Sequence, residues 1–345
     1  MSAFAPGRHA KPEKVPELLD EAVLTAFPSN SQILSIKPSG TSAWVQTVRI
    51  DVRNEDGFTK AYFMKSEKGN EGKRLMEGSF ESEKIFNEYA PNHVPKPIAW
   101  GSYKSDPDTW FLLSDFVEMV EDVPDVKDLV SIIAKIHRDS AGKSPEGKFG
   151  FHVPTHLGYI PNNNLWQTSW EAWFTNAMLR IFEEEERSHG NDDTQQELEI
   201  LKKSLFNKVI PRLLRPLESY GRTVVPCLIH SDLWLGNIQL NVNTEDIVIF
   251  DSCAYWGHNE SDLGVWKAPR YRLGQPYLKE YQKQMGLSAP KEDWDDRNTL
   301  YSIRYDLLHS AMFPKETEFR ATAMSEMKRL IAKFPRGLDD YGHAT

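Results

Sequence analysis

Cysteine is nearly missing from this chain: 345 residues contain two, Cys227 and Cys253. Both stand beside apolar runs, which suits small core residues better than a disulfide or a metal pair. A disulfide scaffold is excluded, and a reducing compartment, the cytoplasm, is the expectation. Long apolar runs are also lacking, so no segment is expected to span a bilayer. The opening M-S-A-F-A-P-G-R-H-A-K has no apolar h-region and the last residues form no lipidation box. Neither a signal peptide nor a lipid anchor is therefore expected. Positive charge is in deficit, with 41 Lys and Arg against 50 Asp and Glu and a formal net charge of −9. That argues against nucleic acid or an anionic membrane as partner.

What remains is the composition of an ordinary globular protein, 40% hydrophobic and 26% charged. Its length predicts two domains or lobes with ample core. The front of the chain reads as a helix over Pro16–Phe27, then strands over Ile33–Lys37, Ala43–Ile50 and Thr59–Lys65. Asn54-Glu55-Asp56-Gly57 is a hairpin signal between the second and third. Lys68–Glu77, polar with two glycines, reads as a mobile insertion before a helix at Phe80–Tyr89. Two more extended pieces, Ile98–Tyr103 and Trp110–Leu113, precede Asp115-Phe116-Val117-Glu118, which has the character of a hinge.

The rest of the chain is mostly helical by its spacing. Helices are predicted at Asp125–Arg138, Gln195–Leu214 with a break at Pro211, Pro276–Met285, Asp293–Ala311 and Glu316–Phe334. The clearest helix carries Trp170, Trp173, Phe174, Ala177, Met178, Ile181 and Phe182 at i, i+3, i+4 intervals, an aromatic stripe read as core. Glu183–Glu186 after it reads as a solvated face or a helix end. Lys143–Asn164, rich in Gly, Pro, Asn and His, reads as a long functional loop whose aromatics could cover a substrate. These elements predict an α+β chain: a small antiparallel sheet lobe over 1–115 and a helical lobe over 116–345.

One stretch carries chemistry. The apolar run Val224–Ile229 delivers His230 and Asp232, and Asn237 follows five residues after that Asp. A second run, Ile247–Phe250, delivers Asp251. H-x-D-x4-N followed by a strand ending in Asp is the layout of a kinase catalytic loop and its metal-binding carboxylate. Phosphoryl transfer needs positioning and charge neutralisation more than covalent help. Asp232 then faces the attacking hydroxyl, Asp251 and Asn237 hold Mg2+ against the phosphates of ATP, and His230 braces the loop. Lys65, ending the third strand, suits the phosphates as a point charge. Glu83 is its expected partner and Glu81 the fallback, because adjacent helical residues point about 100° apart. Gly40 sits where a phosphate-covering loop belongs, and Asp115 and Phe116 where adenine would be met.

The motifs resemble the fructosamine-3-kinase (ketosamine-3-kinase) family. Its H-G-D-L-W-x-G-N loop corresponds to His230-Ser231-Asp232-Leu233-Trp234-Leu235-Gly236-Asn237. Its D-P-A-x-x-Y/W-G-H-x-E-x-D-L-A segment corresponds to Asp251 through Gly264. Ser231 stands for the family Gly and Ser252 for the Pro. The resemblance implies a fold like the aminoglycoside phosphotransferases and protein kinases. It implies ATP-dependent phosphorylation of the C3 hydroxyl of a ketosamine, the sugar adduct on a lysine or free amine, which destabilises the adduct and repairs the amine. It implies further that Asp262 anchors the catalytic loop, and that Trp234, His258 and Glu260 line the substrate side. An aminoglycoside- or choline-type phosphotransferase and a catalytically silent nucleotide-binding protein are the alternatives. The first would lack the Trp234 and G-H-x-E-x-D-L context; the second is suggested by the glycine-poor loop.

Overall fold

The computed structural model describes residues 18–40, 42–190 and 193–341. In chain order these form α1 (Glu21–Leu24), β1 (Gln32–Pro38), β2 (Gln46–Arg53), β3 (Thr59–Lys68), α2 (Gly69–Tyr89), β4 (Pro97–Ser102), β5 (Thr109–Asp115) and β6 (Met119–Val120). There follow α3 (Val126–Ser140), β7 (His156–Leu157), β8 (Ile160–Pro161), α4 (Trp170–His189), α5 (Gln195–Ser204) and α6 (Ile210–Leu214). The last third holds β9 (Cys227–Ile229), β10 (Ile238–Asn241), β11 (Ile247–Ile249), β12 (Tyr255–Gly257), α7 (Gly274–Met285), α8 (Trp294–Met312) and α9 (Thr317–Lys333). The chain divides into two compact units: residues up to Pro124 with Gly236–Cys253, and Asp125–Leu235 with the chain from Ala254 onward. A division at 115/116 thus leaves out two pieces of the first unit, residues 116–124 and the β10–β11 hairpin.

The first unit is built on an antiparallel sheet in the order β1-β2-β3-β5-β4. Alternation sorts its two faces. Val48, Ile50, Val52, Tyr62, Met64, Phe111 and Leu113 point to one side, where Val23 and Phe27 of the N-terminal segment close the core. The expected helix shrinks there to Glu21–Leu24, with Asp20 as its N-cap, and its first residues lie outside those described. Leu112 points to the other side, where Val45, Leu75 and Met76 meet it. Lys68–Glu77 is not an insertion. It opens α2, because Gly72, Leu75 and Met76 begin the same buried stripe that ends at Ser82, Glu83 and Phe86. Gly72 is required by close approach, since a Cβ there would sit 2.4 Å from the Glu67 carbonyl oxygen. A smaller sheet, β11-β10-β6, completes this unit.

The second unit is helical around the two-stranded ladder β9–β12, in which Ile229 pairs with Tyr255 and Cys227 with Gly257. Trp173 stacks on Tyr255 at 4.1 Å between centroids, and Trp170 donates through Nε1 to the Tyr301 hydroxyl at 2.9 Å. The aromatic stripe of α4 is core, as its spacing indicates. Phe149 and Phe151 are core as well, 1% and 3% exposed, so these two aromatics of Lys143–Asn164 do not form a cover. Glu183–Glu186 is only partly a solvated face. Glu185 is fully buried in a two-pronged pair with Arg320 at 2.6 and 2.8 Å, and Glu184 binds Arg180 and Arg187. The helix expected over Gln195–Leu214 is interrupted by a π-turn at Leu205–Val209, ahead of Pro211, which has no N–H to continue the regular ladder.

Candidate active site

In the first unit, period-2 alternation along β3 places Lys65 opposite Leu112 of β5, on the sheet face that α2 covers. Its ammonium forms an ion pair with the Asp251 carboxylate, 186 residues away in the chain. The Lys65 side chain is 14% exposed and that of Asp251 45%, so the pair is open on the carboxylate side. Asp251 holds a left-handed backbone, φ 56°, just beyond β11. Asp tolerates that region better than most residues, and such outliers gather at functional positions. The β10–β11 hairpin brings Asn237 to the same end: its carbonyl accepts the Phe250 N–H at 3.1 Å. A carboxylate and a side-chain amide oxygen are hard-oxygen donor types that suit Mg2+ with phosphate oxygens as the remaining ligands.

Glu83 lies on the buried stripe of α2, whereas Glu81 lies off it and pairs with Lys84 at 3.8 Å. The expected Lys65–Glu83 bond is nevertheless absent, because Lys65 is held by Asp251. Glu83 Oε1 accepts the Ser252 N–H at 3.0 Å, and Oε2 has no hydrogen-bond partner. Burial, with the charge of Asp251 adding to it, pushes the Glu83 carboxyl up to about 7. Gly40 is left-handed at φ 74°; its neighbour Thr41 lies outside the described residues. Ser42 Oγ accepts the Trp44 and Val45 amides at 3.2 and 3.3 Å, so those two donors are already satisfied. Asp115 and Phe116 also differ from expectation. Their N–H groups donate to the Lys96 and Ala61 carbonyls at 2.9 and 3.2 Å, and the Asp115 carboxylate meets Lys60 at 2.6 Å. Neither amide is free to donate to a base, because the strand pairing of β5 uses both.

In the second unit, β9 ends in the loop that begins at His230 and Asp232. Asp262 organises it, 1% exposed: Oδ2 accepts the His230 N–H at 2.9 Å and Oδ1 the Ser231 N–H at 2.6 Å. His137 Nε2 meets the same Oδ2 at 3.1 Å, and its Nδ1 meets the Tyr281 hydroxyl at 2.6 Å. Trp266 Nε1 donates to the Leu233 carbonyl at 2.9 Å, tying down the far side of the loop. His230 Nδ1 accepts the Asp232 N–H at 3.3 Å, and Asp232 and Trp234 are both partly exposed.

Ser231 is buried and left-handed, φ 69°. Its Oγ accepts from Arg304 Nη1 at 2.9 Å, while Arg304 Nη2 donates to Asn162 Oδ1 at 2.6 Å. Arg304 was not singled out from the sequence, although Arg297 and Arg304, seven apart on the stripe that also carries Leu300, Tyr301 and Leu308, signal buried polar partners. Tyr271 was missed as well. Burial raises its hydroxyl well above the usual range, and the nearby Asp232 charge adds to the rise. His258 and Glu260 do not line a substrate surface. Both are 2% exposed: His258 sits between the Tyr301 and Ser288 hydroxyls at 2.9 and 2.8 Å, and Glu260 is bound by Arg297 at 2.8 and 3.1 Å and by the Ser288 N–H at 2.8 Å. These partners come from α8 and the segment before it, so neither side chain is offered to a substrate at the loop.

A sheet unit carrying Lys65 and Asp251, with a helical unit carrying a pinned H-x-D loop, defines a phosphotransferase of the kinase-like α+β class. More narrowly, the chain belongs to the fructosamine kinase family, whose model matches residues 24–333. A chloroplastic protein-ribulosamine 3-kinase of Oryza sativa subsp. japonica is 27% identical over 273 residues, 77% of this chain and 71% of its own length. Among solved structures, a protein from Thermobifida fusca assigned as a fructosamine-3-kinase matches with TM-score 0.66 and 20% identity, over 88% of this chain and 96% of its own. An aminoglycoside phosphotransferase solved with AMP-PNP and hygromycin B matches with TM-score 0.54 and 14% identity, over 92% and 95%. Among the described residues, no helix is long and apolar enough to cross a membrane.

Proposed function

We propose that this chain transfers the γ-phosphoryl group of ATP to the C3 hydroxyl of a ketosamine, a ribulosyl or fructosyl adduct on a lysine or other amine. The observation that carries the reading is the Lys65–Asp251 pair, which joins residues 186 positions apart at one exposed carboxylate. A nucleotide gives each member of that pair a better partner. The phosphates supply the anion for Lys65, and Asp251 with Asn237 are the oxygen donors that would hold Mg2+. When bound, the ion neutralises phosphate charge. Asp232 accepts the proton of the acceptor hydroxyl; that oxygen forms a bond to the γ-phosphorus as the bond to the bridging oxygen of ADP breaks. Asp262 holds the loop amides so that Asp232 keeps one orientation. Loss of the phosphorylated sugar then regenerates the amine. Two buried cysteines outside any disulfide suit a reducing compartment, the cytoplasm in our reading.

The test offers Mg-ATP with ribulosyl-lysine, fructosyl-lysine, an aminoglycoside and choline, and reads product mass. A ketosamine 3-phosphate is expected, and turnover of the last two alone refutes the reading. Asp232→Asn is expected to lower kcat by roughly 10²–10⁴-fold, the usual worth of a positioned base. An unchanged rate removes Asp232 from that role.

A further inference from the structure

The second unit contains a cavity of about 480 Å³ that the reaction above does not use. It lies at the end of the β9–β12 ladder remote from the catalytic loop. Val224, Val225 and Cys227 lead into β9 there, and His258 and Asn259 follow β12. Its wall is largely apolar, with Leu217, Met285 and Ala289 contributing. Two cations face it, Arg138 and Arg222, and among the described residues no Asp or Glu lines it. Arg138 is exposed and donates to Met285 Sδ at 3.4 Å, a weak acceptor. Arg222 donates to the Pro216 carbonyl at 2.6 Å and to the Tyr341 hydroxyl at 2.8 Å. Neither guanidinium has a carboxylate partner among the described residues. The two arginines thus share one apolar hollow with no carboxylate partner among the described residues, in a chain of net charge −9.

We propose that this cavity binds a small organic anion, a carboxylate or phosphate on an apolar body, and that the catalytic loop feels its occupancy. The volume is that of an ordinary small-molecule site. The arginine forks match the planar oxygens of either headgroup, and the apolar wall takes the body. Nothing else in the lining competes for the role of anion. The Cys227 thiol, pushed well up by burial, stays neutral, and both ring nitrogens of His137 and of His258 are already engaged. The route to the loop is short. His137 lines the cavity and meets the Asp262 oxygen that accepts the His230 amide. Asn259 reaches the same ring through the Tyr281 hydroxyl, at 3.0 and 2.6 Å. A ligand pressing on His137 or Asn259 therefore moves the carboxylate that holds the loop.

Calorimetry on the full chain saturated with Mg-AMP-PNP, which keeps anions from the nucleotide site, decides the binding. Benzoate and phenyl phosphate are the probes, with benzyl alcohol as the neutral control and inorganic phosphate as the control for charge alone. One site is expected for both probes, at least tenfold tighter than either control; the tighter probe identifies the headgroup. Arg138→Gln, an exposed change, is expected to weaken both at least fivefold, and Val225→Trp to block the mouth. Equal affinity in both variants, or equal affinity for inorganic phosphate and phenyl phosphate, overturns the site. The coupling rests on the kinase reading and has its own arm. A saturating probe is expected to change kcat at least twofold in the wild-type chain, and the concentration giving half that change is expected to rise at least fivefold in Arg138→Gln. An unchanged kcat refutes the coupling, and absence of any turnover refutes the kinase reading while the calorimetry still decides the cavity.

Discussion

At the scale of single residues, two serines stand where the family motif has backbone-defining residues, and each is put to use. Ser252 occupies the position of a proline, which has no N–H. Its amide is the donor that holds Glu83 Oε1. Ser252→Pro deletes that donor and leaves a buried carboxylate less satisfied, so a loss of about 1–3 kcal/mol is expected in chemical denaturation, while Ser252→Ala, which keeps the amide, stays near wild type. Ser231 occupies the position of a glycine and bears the left-handed backbone a glycine would adopt freely. Ser231→Gly relieves about 1 kcal/mol of backbone strain but removes an acceptor from a buried guanidinium, worth about 1.5–3 kcal/mol. The second effect is larger, so net destabilisation of about 1 kcal/mol is expected. A more stable glycine variant would show that the Arg304 contact contributes little.

At the scale of elements, the segment after β12 explains how a buried ionic network holds the fold and how acid releases it. His258 is enclosed against α8, and burial lowers its ring to about 4, against 6.5 for a free imidazole. The unfolded chain therefore takes up the proton first. Stability from this group is complete above pH 6.5 and is lost as pH falls from there toward 4, by about 3 kcal/mol in all. Glu83 acts in the opposite sense: its carboxyl is raised to about 7, so its contribution is present below 4.5 and lost as pH rises toward 7. The two are separated by comparing wild type with His258→Gln in denaturation curves between pH 4 and 7. The variant is expected to lose the acid-side slope assigned to His258, and an unchanged slope would show the ring is not buried neutral. α8 itself was legible as a helix, yet 16 of its 19 residues are buried. Its charges are internal partners for Glu260, Ser231 and Arg270.

At the scale of the whole molecule, ligand binding should register as stability. Mg-ATP at a hundred times its dissociation constant is expected to add about 2.7 kcal/mol by mass action. Chelation by EDTA should remove most of that gain if Asp251 and Asn237 hold the ion, and thermal melts with and without EDTA check it. A gain indifferent to EDTA would place the nucleotide's affinity in Lys65 alone.

The sequence by itself determined the class of the chain and its chemical vocabulary. Strand alternation, helical spacing and the His230–Asn237 motif are local properties, written in residues a few positions apart, and the same holds for the run that ends in Asp251. Which side chains meet was decided only by tertiary structure, because a partner's identity depends on contacts across tens to hundreds of residues. Lys65 answers to Asp251 and not to Glu83, which instead accepts the amide at position 252, and His258 and Glu260 turned inward because α8 brings Tyr301 and Arg297 against them. Burial converts the same polar letters from a surface offered to substrate into the internal bonding of the core, and no spacing rule carries that information.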